Sequence, residues 1–198
     1  MAVSLDTAIP SHGAIVLAAG ASTRLGRAKQ LVRIEGEPAL RRATRCALAT
    51  DPLDCVVVLG HDAEHIEPAR EGLSARLLRI GDFGTGMAAS LRAGVAALRA
   101  DCAGALIVLT DQPALTADHL RALCAAWRAA PHRAAASAYG DVLGVPALLP
   151  RAWFADIAAL RGDVGARALL RERCAEVIAV AAPELARDLD TPEDVRDM

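Results

Sequence analysis

The stretch AIVLAAGASTRLGRAK, residues 14–29, decides the fold of this chain. It opens with a continuous apolar run that includes β-branched residues, which is typical of a strand buried on both faces. The polar loop that follows contains Gly20 and Gly26, and glycine lets a backbone turn tightly and come close to a ligand. A buried strand ending in such a loop predicts the first unit of a parallel α/β sheet, with a ligand beyond the strand's carboxyl end.

The order of strand, loop and helix recurs up to residue 128. Further buried strands are predicted for residues 55–59, 76–80 and 105–109. Helices are predicted for residues 38–48, 87–99 and 116–128. Strands that alternate with helices favour a parallel sheet covered on both faces and joined by right-handed crossovers. Gly20, Gly60 and Asp111 each follow a strand end, so all three are expected to face one crevice.

The second half of the chain is less regular. Strands are predicted at residues 134–139, 145–149 and 177–181, and helices from Pro150 onward and at residues 164–173. Together the elements predict one α/β domain over residues 1–198, three-layered (α/β/α) and Rossmann-like, with a mostly parallel sheet. Residues 1–12 are expected to form a flexible N-terminal tail.

Composition and charge exclude several function classes. The 198 residues carry a formal net charge of −2, so the chain lacks the basic footprint of a nucleic-acid-binding protein. Aromatic residues make up only 3%, which argues against a stacking platform for single-stranded nucleic acid. No apolar run approaches the ~20 residues of a membrane helix, and no secretory signal opens the chain. A cytoplasmic protein without membrane or nucleic-acid partners is therefore expected.

The cysteines and most histidines are interpreted as structural. The five cysteines occur singly, without a C-x-x-C pair, which is typical of reduced, mostly buried thiols in a cytosolic protein. His61, His65, His119 and His132 lack the spacing of metal ligands.

Only one of the 22 basic residues is a lysine, Lys29. A position that stays lysine in a chain so rich in arginine is expected to need a compact ammonium rather than a planar guanidinium. Chance survival of a single lysine is the alternative. The place of Lys29 in the glycine-rich loop favours the functional interpretation.

The loop of residues 18–29 has groups that can bind phosphate. Its backbone N–H groups can cradle phosphate oxygens, while Arg24 and Lys29 add a planar and a compact cation. Phosphoryl transfer depends chiefly on positioning and charge neutralisation, which such a loop supplies. A P-loop is excluded because five residues separate the two glycines and an arginine, Arg27, directly follows the second. The alternative is a surface turn with solvated cations.

Residues 17–31, LAAGASTRLGRAKQL, resemble the signature L-A-A-G-x-S-x-R-x-G-x-x-K-x-L of the MobA-like nucleotidyltransferases. Within that family the chain most resembles the molybdenum cofactor cytidylyltransferases. Later segments look like further family motifs, namely residues 86–91, 111–113, 144–146, 162–167 and 188–194. The resemblance implies transfer of CMP from CTP to the phosphate of the molybdopterin-bound molybdenum cofactor, with release of pyrophosphate.

The resemblance also implies roles for individual residues. Contacts to the nucleotide are implied for Leu17, Ala18, Ala19, Gly20, Ser22, Arg24, Lys29, Gly60, Gly86, Ser90 and Asp111. The catalytic residues are expected to be Arg24, Lys29 and Asp111. Contacts to the acceptor are implied for Gln112, Pro146, Asp163 and Arg167.

A divalent cation is expected beside Asp111. This residue ends a buried apolar strand, where an unpaired charge is costly, and Mg²⁺ binds one or two carboxylates together with substrate phosphates. An Asx-type turn before Pro113 is the alternative interpretation. Asp190 is the expected second ligand and Asp188 its substitute, because residues two apart in an extended segment point to the same face. Mn²⁺ is the expected replacement for Mg²⁺.

Three other functions stay open. Guanylyl transfer would need room for a larger base, and Ala19 favours cytosine because related guanylyl enzymes typically carry glycine there. The same fold could instead transfer a nucleotide to a sugar phosphate or a phospho-alcohol, since Ile80 and Val145 stand where the family usually has Asn and His. A non-catalytic nucleotide-binding assembly module is the third. The expected protein partner is a recipient molybdoenzyme or its chaperone.

Overall fold

The structure, a computed structural model, describes residues 9–196 except for the side chain of Phe83. Most of the predicted tail of residues 1–12 lies outside the described residues. His12 does not belong to such a tail, because its side chain is buried and the first strand begins with it.

Nine strands lie within the described range. They are β1 (His12–Ala18), β2 (Arg33–Ile34), β3 (Glu37–Pro38), β4 (Asp54–Leu59), β5 (Arg76–Arg79), β6 (Gly104–Leu109), β7 (Ala134–Tyr139), β8 (Val142–Pro150) and β9 (Val177–Ala181). Strands β2 and β3 form a small hairpin, and the other seven form one sheet in the order β5-β4-β1-β6-β8-β7-β9. Among these seven described strands only β8 is antiparallel to its neighbours, so the prediction of a mostly parallel sheet is confirmed.

Helices cover both faces of the sheet. They are α1 (Ala39–Leu48), α2 (Ala63–Ile66), α3 (Met87–Ala97), α4 (Ala117–Ala129), α5 (Phe154–Ala159), α6 (Ala166–Glu172) and α7 (Pro192–Arg196). Helices α1 and α4 pack on one face, and α3, α5 and α6 pack on the other, which confirms the three-layer prediction. None of the helices between residues 9 and 196 is long and apolar enough to cross a membrane.

The central strand β1 shows why the apolar run is continuous. Ala14 and Val16 belong to the core under α1 and α4, whereas Ile15 and Leu17 belong to the core under α3 and α6. Successive side chains of a strand point to opposite faces, so a strand covered on both faces needs an apolar residue at every position. Burying each large aliphatic side chain stabilises the fold by about 1.5–3 kcal/mol.

The strand order reverses between β1 and β6. From β1 the chain passes to β4 and β5 on one side and then reaches β6 on the other side of β1. Loops that leave neighbouring strands in opposite directions open a crevice at the carboxyl ends, where ligands bind in sheets of this type. The loop of residues 18–29 and the segment 110–113 flank that crevice.

The structure differs from the predicted elements at two prolines. Pro150 ends β8 instead of beginning a helix, because the strand pairs with β6 as far as Gly104↔Pro150. Pro38 belongs to β3, where it pairs with Arg33, so α1 begins one residue later. A proline lacks an N–H donor and therefore suits the ends and edges of strands. Strand pairing outweighed the helix signal at both positions, through a short hairpin at Pro38 and through a distant strand at Pro150.

Candidate active site

A cavity of about 210 Å³ opens at the carboxyl ends of β1 and β6, at the point where the strand order reverses. The sequence-predicted site residues that line it are Leu17, Ala18, Ala19, Gly20, Lys29, Gly86, Ser90, Asp111 and Asp163. Four separate segments of the chain supply these residues. The fold therefore brings the glycine-rich loop, the start of α3, the end of β6 and the segment before α6 around one space.

Three predicted nucleotide residues lie outside that lining. Ser22 lines a depression on the outer side of the loop, and Arg24 extends into solvent with 73% of its side chain exposed. Gly60 lines a third depression, because the chain turns there from β4 towards α2. Gly60 is therefore not among the residues that line the cavity, although the N–H of the next residue, His61, donates to the carbonyl of Ala19 at 3.2 Å.

Ser22 closes the loop that follows β1. Its carbonyl accepts hydrogen bonds from the N–H groups of Leu25 and Gly26, at 3.1 and 3.2 Å. Its hydroxyl accepts a hydrogen bond from the Lys29 N–H at 3.1 Å. Ser22 and Gly26 both have positive φ angles, 53° and 72°, so the chain turns sharply at each. These turns bring Lys29 back beside the end of β1.

Gln30 is a site residue that sequence reasoning missed. Its side chain is fully buried, and its Nε2 donates hydrogen bonds to the carbonyls of Ala18 and Gly20, at 2.8 and 2.9 Å. In the signature it occupies a variable position between Lys29 and Leu31, so its spacing carried no signal.

Two cations and two carboxylates meet at the mouth of the cavity. The Nζ of Lys29 lies 2.5 Å from Oδ2 of Asp111 and 3.9 Å from Oδ1 of Asp190. Arg24 reaches the other oxygen of Asp190 at 2.9 Å. The cations come from the loop after β1, whereas the carboxylates come from the end of β6 and from the C-terminal segment. Charges of opposite sign therefore alternate across the crevice.

Burial of Leu189 holds the C-terminal segment in place. Its side chain packs with Leu25, Val32, Ile34 and Ala39 beneath the loop, and its N–H donates to the carbonyl of Asp111 at 2.7 Å. The residues on either side, Asp188 and Asp190, are thereby directed towards the site. The carboxyl of Asp188 is partly buried and lies near the negative charges of Asp111 and Asp190. Burial and these charges raise the pKa of Asp188 to about 6.

The carboxylates fit a divalent cation. Oδ1 of Asp111 is buried and has no hydrogen-bond partner within residues 9–196, an expensive arrangement unless a ligand completes it. The same described range holds no group of three or more Cys, His, Asp and Glu residues arranged as a metal site. Asp111 and Asp190 could thus supply two oxygen ligands, with substrate phosphates and water supplying the others, as Mg²⁺ prefers.

The segment before α6 packs on the start of α3. A Cβ atom on Gly86, whose φ is 106°, would lie 2.4 Å from the carbonyl carbon and oxygen of Gly162. Only glycine allows this approach. Oδ1 of Asp163 accepts a long hydrogen bond from the Met87 N–H at 3.4 Å, so a carboxylate stands at the positive end of the helix. The two motifs of this region therefore form one wall of the cavity.

Gln112 and Pro146, the two buried residues predicted to contact the acceptor, lie behind the wall of the cavity. Gln112 is buried, and its Nε2 donates to the carbonyls of Val145 and Leu185 at 3.0 and 3.4 Å. Pro146 is also buried, and its carbonyl accepts a hydrogen bond from the Ser137 hydroxyl at 2.7 Å. Neither residue lines the cavity. Gln112 ties the end of β6 to β8 and to the C-terminal segment, whereas the hydrogen bond to Pro146 ties β8 to β7.

Arg167 lies on the exposed side of α6 near the carboxylates. Burial raises the pKa of Tyr139 and of Asp188, and the positive charge of Arg167 opposes both shifts. The guanidinium therefore faces the same region as Asp188, in a position accessible to an incoming anion.

The described histidines and cysteines are mostly buried within the fold and outside the lining of the cavity. His119 is buried with its Nε2 2.8 Å from the Ser137 hydroxyl, and burial lowers its pKa. All five cysteines are free thiols, and Cys174 alone among them is exposed, which confirms the prediction of mostly buried cysteines.

The fold and this site define a nucleotidyltransferase: a mostly parallel three-layer α/β domain with a basic loop facing two carboxylates across a small cavity. The chain belongs to the MobA-like family, because the profile of the MobA-like NTP transferase domain matches residues 14–177.

Relatives of known name cover nearly the whole chain. The nicotine blue oxidoreductase of Paenarthrobacter nicotinovorans is 32% identical over 203 aligned positions, which cover 96% of this chain and 97% of that protein. The purine catabolism protein PucB of Bacillus subtilis strain 168 is 30% identical over 196 positions, which cover 91% and 92%.

Solved structures agree with the fold. Rv0371c from Mycobacterium tuberculosis H37Rv superposes with a TM-score of 0.84 at 28% identity, over 96% of this chain and 97% of that one. A complex of the same mycobacterial protein with manganese superposes with a TM-score of 0.77 at 26% identity, over 94% and 97% of the two chains.

Proposed function

We propose that the protein transfers CMP from CTP to the phosphate of the molybdopterin-bound molybdenum cofactor and releases pyrophosphate. One observation carries the nucleotidyl part of this proposal: the ammonium of Lys29 lies 2.5 Å from Asp111 across the cavity mouth. This pair matches a triphosphate with bound Mg²⁺, because the ammonium can bind the phosphate oxygens and the carboxylate can bind the metal ion.

Nucleotide binding would exchange the partners of these charges. The backbone of residues 18–20 and the side chains of Arg24 and Lys29 would hold phosphate oxygens, which releases Asp111 and Asp190 from their ion pairs. The two carboxylates would then hold Mg²⁺, or Mn²⁺ in its place, as a mycobacterial neighbour was solved in complex with manganese. The bound cation supplies charge compensation at the phosphates, the main requirement of phosphoryl transfer.

The acceptor phosphate would attack without a general base. A phosphate monoester has its second pKa near 6, so it is largely dianionic at neutral pH. An acceptor oxygen forms a bond to the α-phosphorus of CTP, the bond from that phosphorus to the bridging oxygen breaks, and pyrophosphate leaves. Lys29 and Arg24 would stabilise the charge that develops on the leaving group.

Ala19 supports cytosine as the base. Ala19 is one of the residues that line the cavity, whose volume is about 210 Å³. A side chain at this position leaves less room for a purine than glycine would. GTP is therefore expected to bind more weakly than CTP.

Exposed and rim residues support the acceptor assignment. Arg167 offers a guanidinium to a phosphate, and Asp163 lies at the edge of the cavity, while Gln112 and Pro146 would act by shaping the wall. A recipient molybdoenzyme or its chaperone would take the product in the cytoplasm. The same geometry would also serve a sugar phosphate or a phospho-alcohol.

Pyrophosphate release tests this proposal. CTP and GTP with Mg²⁺ are each incubated with the purified protein, with and without molybdopterin-bound molybdenum, and with sugar phosphates and phospho-alcohols in place of the cofactor. Release that needs both CTP and the molybdenum cofactor is expected. Faster release with GTP would overturn the choice of base, and release with another acceptor would overturn the choice of cofactor.

The name of one relative calls for a second assay. Nicotine blue oxidoreductase is 32% identical to this chain, so reduction of a dye is measured in parallel. Dye turnover without pyrophosphate release would contradict a transferase function. Nucleotide binding without either activity would indicate a binding and assembly module.

A further inference from the structure

Gln30 has a full set of contacts but no role in the chemistry described so far. Its side chain is 0% exposed and lines both the cavity and the depression on the outer side of the loop. Both hydrogen bonds of its Nε2 go to main-chain carbonyls, those of Ala18 and Gly20. A buried amide is costly unless its hydrogen bonds are made, so the conformation of Gln30 depends on where these two carbonyls point.

The two carbonyls lie on one edge of the extended end of β1, because alternate peptide groups of an extended chain point the same way. The carbonyl between them, that of Ala19, accepts from the His61 N–H at 3.2 Å on the side of β4. Gln30 therefore stands on the side of β6, just beyond the last paired residues, Leu17↔Leu109. Its amide replaces the strand partner that the β1 end lacks there.

This replacement allows two things at once. The chain after β6 can leave the sheet, so that Asp111 reaches across the crevice to Lys29 at 2.5 Å. The end of β1 meanwhile stays extended, although it no longer has a strand on that side. Gln30 and Lys29 are neighbours in one turn of 3-10 helix, Lys29–Leu31, so the same amide also anchors the backbone of the lysine.

We propose that Gln30 is a positioning residue for nucleotide binding: its amide holds the backbone of residues 18–20 and the adjacent Lys29 in the arrangement that receives the triphosphate. It does not touch the reacting atoms. The inference rests on the nucleotidyltransferase function of the site, and it is independent of which base and which acceptor the protein uses.

Hydrogen exchange on the nucleotide-free protein tests the positioning role. Gln30→Met keeps the shape of the side chain but removes the donor, and Thr44→Val removes a buried hydrogen bond inside α1, away from the cavity lining. Amides of residues 18–22 are expected to exchange about tenfold faster in Gln30→Met, whereas amides of residues 13–16 in the same variant should exchange at an unchanged rate. In Thr44→Val the exchange of residues 18–22 should also be unchanged. Unchanged exchange of residues 18–22 in Gln30→Met would overturn the proposal.

Triphosphate affinity provides the second measurement. Gln30→Met is expected to weaken binding of CTP with Mg²⁺ about tenfold, with a larger change in KM than in kcat. Thr44→Val should bind as the unaltered protein does. Equal affinity of Gln30→Met and the unaltered protein would contradict the proposal.

Gln30→Glu distinguishes the loss of the hydrogen-bond donor from a change in side-chain size, because glutamate fills the same space as glutamine. An ionised carboxylate would face two carbonyls and weaken binding further, whereas a protonated carboxyl regains one donor. We therefore compare the CTP affinity of Gln30→Glu with that of Gln30→Met, and this ratio is expected to rise as the pH is lowered from about 8 to about 5.5. Taking the ratio at each pH cancels titration of other groups, including Asp188. A constant ratio would overturn the role of the donor.

The exchange experiment needs no nucleotide. If the unaltered protein bound no triphosphate, the proposed function would fail, and the exchange rates would still decide whether Gln30 holds the loop.

Discussion

The polar groups at the two ends of the central sheet differ in how completely other groups of the fold pair with them. At the amino end, Asp54 accepts two hydrogen bonds from Arg76, at 3.0 and 2.6 Å, and a third from the Arg99 N–H at 3.1 Å. His12, at the start of β1, is 1% exposed, and its Nε2 lies 2.8 Å from the Thr50 hydroxyl. Groups of the fold itself thus complete the contacts of the Asp54 carboxylate at this end, whereas Nδ1 of His12 is buried without a partner in the described residues.

The carboxyl end leaves capacity for a ligand. Oδ2 of Asp111 pairs with Lys29, but Oδ1 is buried without a partner in the described part of the chain. Asp190, which is 34% exposed, pairs with the solvent-exposed Arg24. The same residue types therefore complete the fold at one end of the sheet and stay available for binding at the other.

The pKa shifts follow this division. Hydrogen bonds from Arg76 lower the pKa of Asp54, whereas partial burial and the nearby carboxylates raise the pKa of Asp188 to about 6. A lowered carboxyl pKa means that the ionised form stabilises the fold, and a raised one means that it costs stability. Such a cost is typical of groups arranged for function.

The largest expected effect comes from Lys29→Arg at the carboxyl end. Arginine keeps the charge but replaces the compact ammonium between Asp111 and Asp190 with a planar fork. Pyrophosphate release is expected to fall about 10²–10³-fold, as when one charge-stabilising donor is lost. Arg76→Lys at the amino end is the matched control and should leave release unchanged. Equal activity of Lys29→Arg and the unaltered protein would mean that the single lysine is an accident of composition.

The next effect concerns pH and His12. Burial is the main cause that lowers its pKa from 6.5 to about 4, so the folded protein resists a proton that the unfolded chain accepts. Protonation therefore favours unfolding. The contribution of His12 to the free energy of unfolding is expected to fall by at most about 3 kcal/mol between pH 6.5 and about 4, and this contribution levels off below that range.

Urea denaturation at a series of pH values measures this dependence. His12→Gln should flatten the pH profile across that range, although it will also lower stability at neutral pH. A profile that stays the same in His12→Gln would assign the acid sensitivity to other groups.

A smaller effect is expected for Asp54→Asn. The variant weakens the hydrogen bonds to Arg76 and removes the negative charge that faces it. Since Arg76 is 56% exposed, water compensates part of the loss, and the free energy of unfolding is expected to fall by about 1–2 kcal/mol. Thermal denaturation measures this change. Triphosphate affinity should not change, and a loss of affinity would show that the two ends of the sheet are coupled.

The smallest effect, and the one that best sharpens the comparison, is for Asp190→Asn. Removing this carboxylate frees Arg24 from an exposed ion pair, which is worth less than about 1 kcal/mol. Metal-free CTP in EDTA is expected to bind a few-fold more tightly, whereas CTP with Mg²⁺ or Mn²⁺ should bind more weakly. Titration calorimetry with and without the metal ion measures both changes in CTP affinity. Glu193→Gln, in the same segment, is the control, and weaker binding in both conditions would contradict a metal-binding role for Asp190.

Much of the fold and part of the site could be predicted from local signals. The strand and loop of residues 14–29, the alternation of strands with helices, and the lone lysine each depend on residues adjacent in the chain. Asp111 was found because it ends a buried strand. Local periodicity and glycine placement specify these features with little help from distant residues.

Other features needed the complete molecule. The buried contacts of Gln30 depend on where β6 ends, and the direction of Asp188 and Asp190 depends on Leu189 packing under the loop. The strand that runs up to Pro150 follows from its pairing with β6, and the separate depression of Gly60 follows from the turn after β4. Apart from the turn at Gly60, these contacts join residues that are distant in sequence.

By itself the sequence determined the layered α/β fold, the basic glycine-rich loop and the family, because apolar periodicity and short motifs act over a few neighbouring residues. Only the tertiary structure decided which side chains meet across the crevice: Lys29 with Asp111, Arg24 with Asp190, and Gln30 with the end of β1. The physical reason is that burial and ion pairing depend on what lies opposite a residue in space, and strand order brings together positions up to 166 residues apart.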